Sequence, residues 1–245
     1  MEVKNLNKDG IHYTVFLPQK TVKRALIAIH GFAGDSQSSA IYEVAKSITQ
    51  KDYAVIAFDL PAHGEDEKRI CTIADCFAYL DKVVDYVCNQ YTADISFFAT
   101  SFGGYLLLNY LNKTNHKFKN VILRAPAVFM DSILLHKILP MHGYSASDLN
   151  NGSVNLGFER ELNIGKAFYD DLVKHRLHKP NNSYDYNIIQ GKKDDVVDYK
   201  QNDKFFRKNA MKYHFYYLDN ADHRFKNPGE LQEIVKITES ILFNK

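Results

Sequence analysis

The stretch FFATSFGG, residues 97–104, decides how the rest of this chain reads. An apolar run ending in Ile95, Phe97 and Phe98 meets a turn of small residues, Ala99 to Gly103. An apolar helical pattern then resumes through Tyr105, Leu106, Leu107 and Tyr110. That succession predicts a strand, a sharp turn and a helix, with Ser101 at the apex. A serine so placed lifts its hydroxyl above the sheet edge, where the first amides of the helix offer donors to a developing negative charge. Small neighbours let the strand and helix backbones come close. By itself a Ser-x-Gly turn is explained equally well as ordinary structure, so the reading depends on whether the chain supplies a base and an acid.

Working outward, the segments on either side alternate in the manner of a buried sheet wrapped by helices. Residues 24–29, RALIAI, and 53–58, YAVIAF, are short continuous apolar runs of the kind a parallel strand covered on both faces shows. The first ends in HGFAG, residues 30–34, where two glycines allow a sharp turn with amides pointing inward. The second ends in DLPAHG, residues 59–64. Between them a helix is predicted from Ser38 to Asp52, burying Ile41, Val44, Ala45 and Ile48, and a second helix from Ile73 to Tyr91 places Ile73, Phe77, Leu80, Val84 and Val87 on its core face. Residues 1–18 read as an edge hairpin turning at Asp9-Gly10. Downstream, Asn120–Ala125, Tyr186–Gln190 and Tyr213–Leu218 read as strands, Tyr199–Ala210 as a helix, and Pro228 as the start of the last helix. The pattern predicts an α/β chain with a largely parallel sheet, and no linker divides residues 1–245 into more than one domain.

Between residues 127 and 180 the alternation breaks. Phe129, Met130, Ile133, Leu134, Leu135, Ile138, Leu139 and Met141 form an apolar helical stretch, followed by the turn-rich 143–157 and a helix near Ile164–Leu177. An insertion here is expected either to cap a pocket, with Phe129, Leu134, Leu135 and Ile138 as substrate walls, or to form a peripheral helical layer.

Composition excludes several classes of function. The formal charge of +2 on 245 residues, with scattered lysines, implies no nucleic-acid or membrane partner. The densest basic patch, KHRLHKP at 174–180, reads as a solvated helix end. Cys71, Cys76 and Cys88 are odd in number and lack C-x-x-C spacing, as expected of free thiols in a reducing, cytoplasmic setting. The N-terminus carries no apolar leader and no run approaches a membrane span, so the expectation is a soluble protein. His175 and His178, three apart on a predicted helix, have no cysteine or carboxylate set beside them to complete a metal site.

A serine hydroxyl needs a base beside it and a third group to orient that base. Three strand ends supply these types in the order Ser101, Asp194, His223, the chain order of nucleophile-elbow hydrolases. With HGFAG, DLPAHG, ATSFGG (99–104), GKKDDVV (191–197) and NADHRF (220–225), the chain resembles the α/β-hydrolases over almost its whole length. In size, and in having an insertion before the acid strand, it is most similar to small bacterial serine esterases of the cinnamoyl or feruloyl type. The resemblance implies an α/β-hydrolase fold, with a mostly parallel central sheet flanked by helices and a helical cap insertion at about 127–180. It also implies Ser101 as nucleophile, His223 as base and Asp194 as the orienting acid, with the amides of Phe32 and Phe102 as the oxyanion hole. The Gly-x-x-Asp-x-x-Val spacing favours Asp194 over Asp195, while His30 and His63 read as hydrogen-bonded loop anchors. Two positions depart from the family pattern: Ala99 replaces the first glycine of G-x-S-x-G, and Thr100 stands where histidine is frequent.

The expected activity is hydrolysis of a small-molecule carboxylic ester through an acyl-enzyme, without metal or cofactor. A thioesterase, or a small amidase or peptidase, uses the same machinery. A hydrolase-like ligand-binding protein without turnover is the alternative from another class. Acyl and alcohol specificity and oligomeric state, a homo-oligomer included, stay open.

Overall fold

The computed structural model describes residues 1–68, 70–91, 94–158 and 160–243. Its ten strands are β1 (Glu2–Lys8), β2 (Ile11–Leu17), β3 (Arg24–Ile29), β4 (Tyr53–Phe58), β5 (Asp94–Thr100), β6 (Val121–Arg124), β7 (Ser153–Asn155), β8 (Asn163–Gly165), β9 (Tyr186–Gly191) and β10 (Tyr213–Leu218). Eight of them form one sheet in the order β1-β2-β4-β3-β5-β6-β9-β10. The β1–β2 and β2–β4 pairs are antiparallel and every pairing from β4 to β10 is parallel. This is the mostly parallel sheet flanked by helices that the alternation of segments predicts.

Period-two alternation splits the strand side chains between two apolar layers. Ile27, Ile29, Phe97, Ala99 and Leu123 face one layer, where helices α2 (Ile73–Gln90) and α3 (Phe102–Leu111) pack. Leu26, Ala28, Phe98 and Ile122 face the other, covered by α1 (Ser39–Ile48) and α8 (Glu230–Phe243). Burial on both faces explains why β3 and β4 are unbroken apolar runs. Thr72 starts α2 by accepting the Asp75 amide at 3.0 Å, satisfying one of the orphan N–H groups of the first turn.

Several boundaries differ from expectation for local reasons. The helix expected over 38–52 is α1 followed by a 3₁₀ turn, Thr49–Lys51, that ends on Asp52 in the left-handed region at φ 70°. Pro228 precedes the last helix rather than opening it, since α8 begins at Glu230. Phe77 is only half-buried, at the edge of the α2 core face. Within 127–180 the apolar stretch is three short pieces: α4 (Met130–Ile133), a π-helical turn (Leu134–Ile138) and α5 (Leu139–Met141). Ile164 belongs to a two-stranded antiparallel hairpin, β7–β8, that no apolar alternation announces, and α6 (Lys166–Lys174) follows it. Helix α7 spans Tyr199–Asn209.

No described helix is long and apolar enough to cross a membrane. Among the described residues no cluster of three or more His, Cys, Asp or Glu side chains is placed to hold a metal. The basic patch at 174–180 is engaged internally: Arg176 pairs with Asp131 at 2.6 Å and His175 lies 3.2 Å from Asp171.

Candidate active site

Parallel strands deliver their C-terminal ends to one edge of the sheet, and there the loops after β3, β4, β5, β6, β9 and β10 meet. Ser101 sits between β5 and α3 at φ 50°, a conformation costly for a residue with a Cβ. Strain of this kind gathers at the same edge. Of the seven positive-φ residues other than glycine among the described residues, Ala33, Ala62, Ser101, Ala125 and Phe225 follow strand ends here, while Asp9 and Asp52 lie in turns elsewhere. Ser101 is held in place by its backbone: its amide donates to the Arg124 carbonyl at 2.9 Å, and its own carbonyl accepts from Ala127 at 3.0 Å. Gly103 permits the approach of helix to sheet, because a Cβ there would lie 2.5 Å from the His30 carbonyl oxygen.

Three of the residues singled out in the sequence come together. The Ser101 hydroxyl lies 3.1 Å from His223 Nε2, and His223 Nδ1 lies 2.8 Å from Asp194 Oδ2. A carboxylate only accepts, so Nδ1 carries the proton and the free lone pair of Nε2 faces the serine. The other oxygen of Asp194 accepts from the amides of Val196 (3.0 Å) and Val197 (2.7 Å), and Gln190 donates to Oδ2 at 3.1 Å. The Asp194 side chain is fully shielded from solvent. Asp195 is exposed, and Asp198 caps α7 by accepting the Lys200 amide at 2.8 Å.

Phe102 follows Ser101 in the chain and Phe32 follows Gly31, which lies against Ser101; the two rings meet edge-to-face at 5.7 Å. The Phe102 amide is the first of α3, whose opening N–H groups have no partner four residues back. Neither it nor the Phe32 amide has a hydrogen-bond partner among the described residues.

Beneath them lies a histidine pair. His30 Nε2 accepts the Leu60 amide at 3.0 Å, so its Nδ1 carries hydrogen and donates to the Gly31 carbonyl at 2.7 Å, tying the loop after β3 to the loop after β4. Burial holds the His30 imidazole below its ordinary range. His63 donates from Nδ1 to the Pro61 carbonyl at 2.8 Å, and its ring packs 5.8 Å from Phe32 and 6.4 Å from Phe102. Burial, helped by His30 and Arg160, pushes His63 down to about 3, so it stays neutral. Asp59 collects the His12 imidazole (2.8 Å) and the amides of Ser36 (2.7 Å) and Glu65 (2.9 Å). Its carboxyl is held below the usual range although burial acts in the opposite sense: the neighbouring His30 ring and these donors favour the ionised form.

A cleft of about 910 Å³ opens beside this edge, bounded by the loops 33–39 and 59–65, by Arg224 next to His223, and by Phe158, Arg160 and Leu162 of the insertion. Its walls are rich in polar side chains, Asp35, Ser38, Glu65 and Arg224 among them. The four apolar residues expected as substrate walls are placed elsewhere. Leu134 is fully buried in the core, Leu135 and Ile138 are half-buried against it, and Phe129 lines a separate groove with Leu177 and Phe205.

Two arginines that the sequence reading passed over hold this region. Arg160 donates to the carbonyls of His63 (2.9 Å), Gly64, Asp66 and Lys68 (3.3 Å), pinning the insertion to the loop after β4. Arg124 is buried at the end of β6 behind the His223 loop. A cation closing the apolar run NVILRA was the available signal for the second; nothing local marks the first.

With this geometry in hand, the model of the alpha/beta hydrolase fold family matches residues 24–210, about three quarters of the sequence. The chain belongs to that family. No curated protein matches it. Solved structures share the fold at low identity. Mouse alpha/beta hydrolase domain-containing protein 10 is 17% identical over 99% of this chain and 98% of its own, with a TM-score of 0.75. Est1E from Butyrivibrio proteoclasticus is 16% identical over 98% of both chains, TM-score 0.76, and has also been solved with ferulic acid bound. The monoglyceride lipase of Saccharomyces cerevisiae is 15% identical over 99% of this chain and 94% of its own, TM-score 0.76. In this alpha/beta hydrolase fold chain the strained Ser101 lies between β5 and α3, the helix that follows it.

Proposed function

We propose that the protein hydrolyses small carboxylic esters through an acyl-enzyme, with Ser101 as nucleophile, His223 as general base and Asp194 as its partner. One observation carries the reading: a strained Ser101 at φ 50° places its hydroxyl 3.1 Å from Nε2 of His223, whose other nitrogen is held at 2.8 Å by a desolvated carboxylate. In the acylation step Ser101 Oγ attacks the ester carbonyl carbon while His223 Nε2 takes the hydroxyl proton. The imidazolium that forms donates to Asp194 from Nδ1, and the carbonyl oxygen, now negative, takes the amides of Phe32 and Phe102. Donors of this sort contribute about a hundred- to a thousandfold each in comparable sites. His223 then protonates the leaving alcohol, and a water molecule, deprotonated by the same nitrogen, releases the acid. The polar cleft, which reaches Arg224 next to His223, supports a hydrophilic group on one half of the ester. The test is covalent labelling by a fluorophosphonate together with turnover of short p-nitrophenyl esters. The expected result is one adduct on Ser101, lost with Ser101→Ala along with turnover; folded protein that neither labels nor turns over any ester overturns the reading.

A further inference from the structure

Arg124 is a buried cation with no carboxylate within ion-pair distance among the described residues. Its side chain is 8% exposed, and the arginines with ion pairs among the described residues are Arg24, Arg176 and Arg207. Burying a guanidinium unpaired is expensive, and nothing in the packing of a sheet edge requires one. What surrounds it is the candidate catalytic set. Its Nη2 donates to the main-chain carbonyl of His223 at 3.1 Å. Its own carbonyl receives the Ser101 amide at 2.9 Å. The Phe225 ring, two residues beyond His223 and itself at φ 54°, lies 4.6 Å from the guanidinium carbon, and Nε of Arg124 has no hydrogen-bond partner among the described residues. One residue thus holds the nucleophile through its backbone and the base through its side chain.

We propose that Arg124 is a positioning residue for the reaction: its hydrogen bond fixes the His223 loop, and its buried positive charge opposes the gain of a second one on His223. This rests on the reading of Ser101, His223 and Asp194 given above. The charged and titratable groups around His223 are Asp194 from the loop after β9, Asp222 and Arg224 beside it in the chain, and Arg124 from β6. Asp194 and Asp222 carry negative charge, and Arg124 brings the opposite charge from the sheet side. Burial lowers Arg124 to about 10, against the pull of Asp194 and Asp222, so the guanidinium remains charged throughout the range in which a histidine titrates. Its substitution is therefore expected to shift a protonation equilibrium as well as a structure.

The rate of fluorophosphonate labelling at Ser101, followed against pH, reads this without a known substrate. Wild type should lose reactivity on the acid side as His223 protonates. A folded wild type that labels at no pH removes the site reading itself, a result distinct from any failure of Arg124. Arg124→Gln is expected to move the acid limb upward by about one pH unit, as removal of a nearby buried charge does. Arg124→Lys, which keeps the charge but is too short for the same hydrogen bond, should leave the limb in place while slowing labelling. A limb unmoved in Arg124→Gln overturns the proposal, and so does a limb that moves as far in Arg124→Lys. Its position does not depend on the folded fraction, so a partly unfolded Arg124→Gln still reports. Should that variant yield no folded protein, Arg124→Met is the neutral replacement, and displacement of the limb in Arg124→Lys overturns the proposal by itself.

Discussion

The elbow at 97–104 and the insertion at 127–180 lie on the same side of the molecule and are built on opposite terms. In the elbow a non-glycine residue is held at φ 50°, and the one atom that would spoil the approach of helix to sheet is absent at Gly103. In the insertion the positive-φ residues are Gly143 and Gly152, and the backbone is short helical pieces and a small hairpin, unstrained. The elbow is flanked by strands paired on both sides, so the sheet over-determines it. The insertion is fastened to its surroundings by single side chains, Arg160 on the loop after β4 and Tyr105 of α3, whose hydroxyl donates to the His175 carbonyl. Strain that serves chemistry is tolerated where neighbouring structure cannot yield, and a segment free to vary is fastened by a few long side chains.

That contrast can be broken or sharpened by experiment. The largest effect is expected at the strand ends: Asp194→Asn should lower kcat/KM by roughly 10⁴-fold, as loss of the partner that orients a catalytic histidine does. Asp195→Asn, on an exposed side chain one residue away, should leave it nearly unchanged. Equal losses at both positions, measured on any ester that is turned over, would blur the distinction between fixed and free positions.

Next is the loop between the two regions. His63 is ordinary in the unfolded chain, near 6.5, and about 3 when folded, so its contribution to stability is complete above pH ~6.5. It falls away as pH drops towards 3, by about 5 kcal/mol in all. His63→Gln should therefore flatten the loss of stability between pH 6.5 and 4 in denaturant titrations. An unchanged slope would show that His63 protonates freely in the native state. The smallest effect belongs to the insertion: Leu134→Ala should cost about 2–5 kcal/mol of stability by leaving a cavity, with ester chain-length preference unaltered. A shift of preference would return Leu134 to the substrate and make the insertion part of the site.

How far each region was legible follows from the same difference. Strands β3, β4 and β5 announce themselves because a strand covered on both faces must be apolar throughout. The glycines at 31 and 103 and the serine between strand and helix mark the turn for steric reasons that hold in any context. Hairpin β7–β8 is three residues a side and rich in Asn and Gly, so it has no period to detect. The apolar periodicity of 129–141 says that one face is buried without saying against what, and the structure turns Leu134 into the core and Phe129 into a groove away from the polar cleft. Arg124 reads in sequence as the end of a strand, and only the fold puts it behind His223.

The sequence by itself determined the alternation of strand and helix, the strained serine turn, and an acid and a histidine at later strand ends. Each of these depends on neighbours a few residues away, through sterics and burial. The tertiary structure decided which of Asp194 and Asp195 faces His223, that Arg160 clamps the insertion, and that Arg124 sits buried beneath the site, bonded to the His223 carbonyl. Those are relations between residues as many as 99 positions apart, where angstrom distances depend on how a whole sheet twists and packs, which no local pattern encodes.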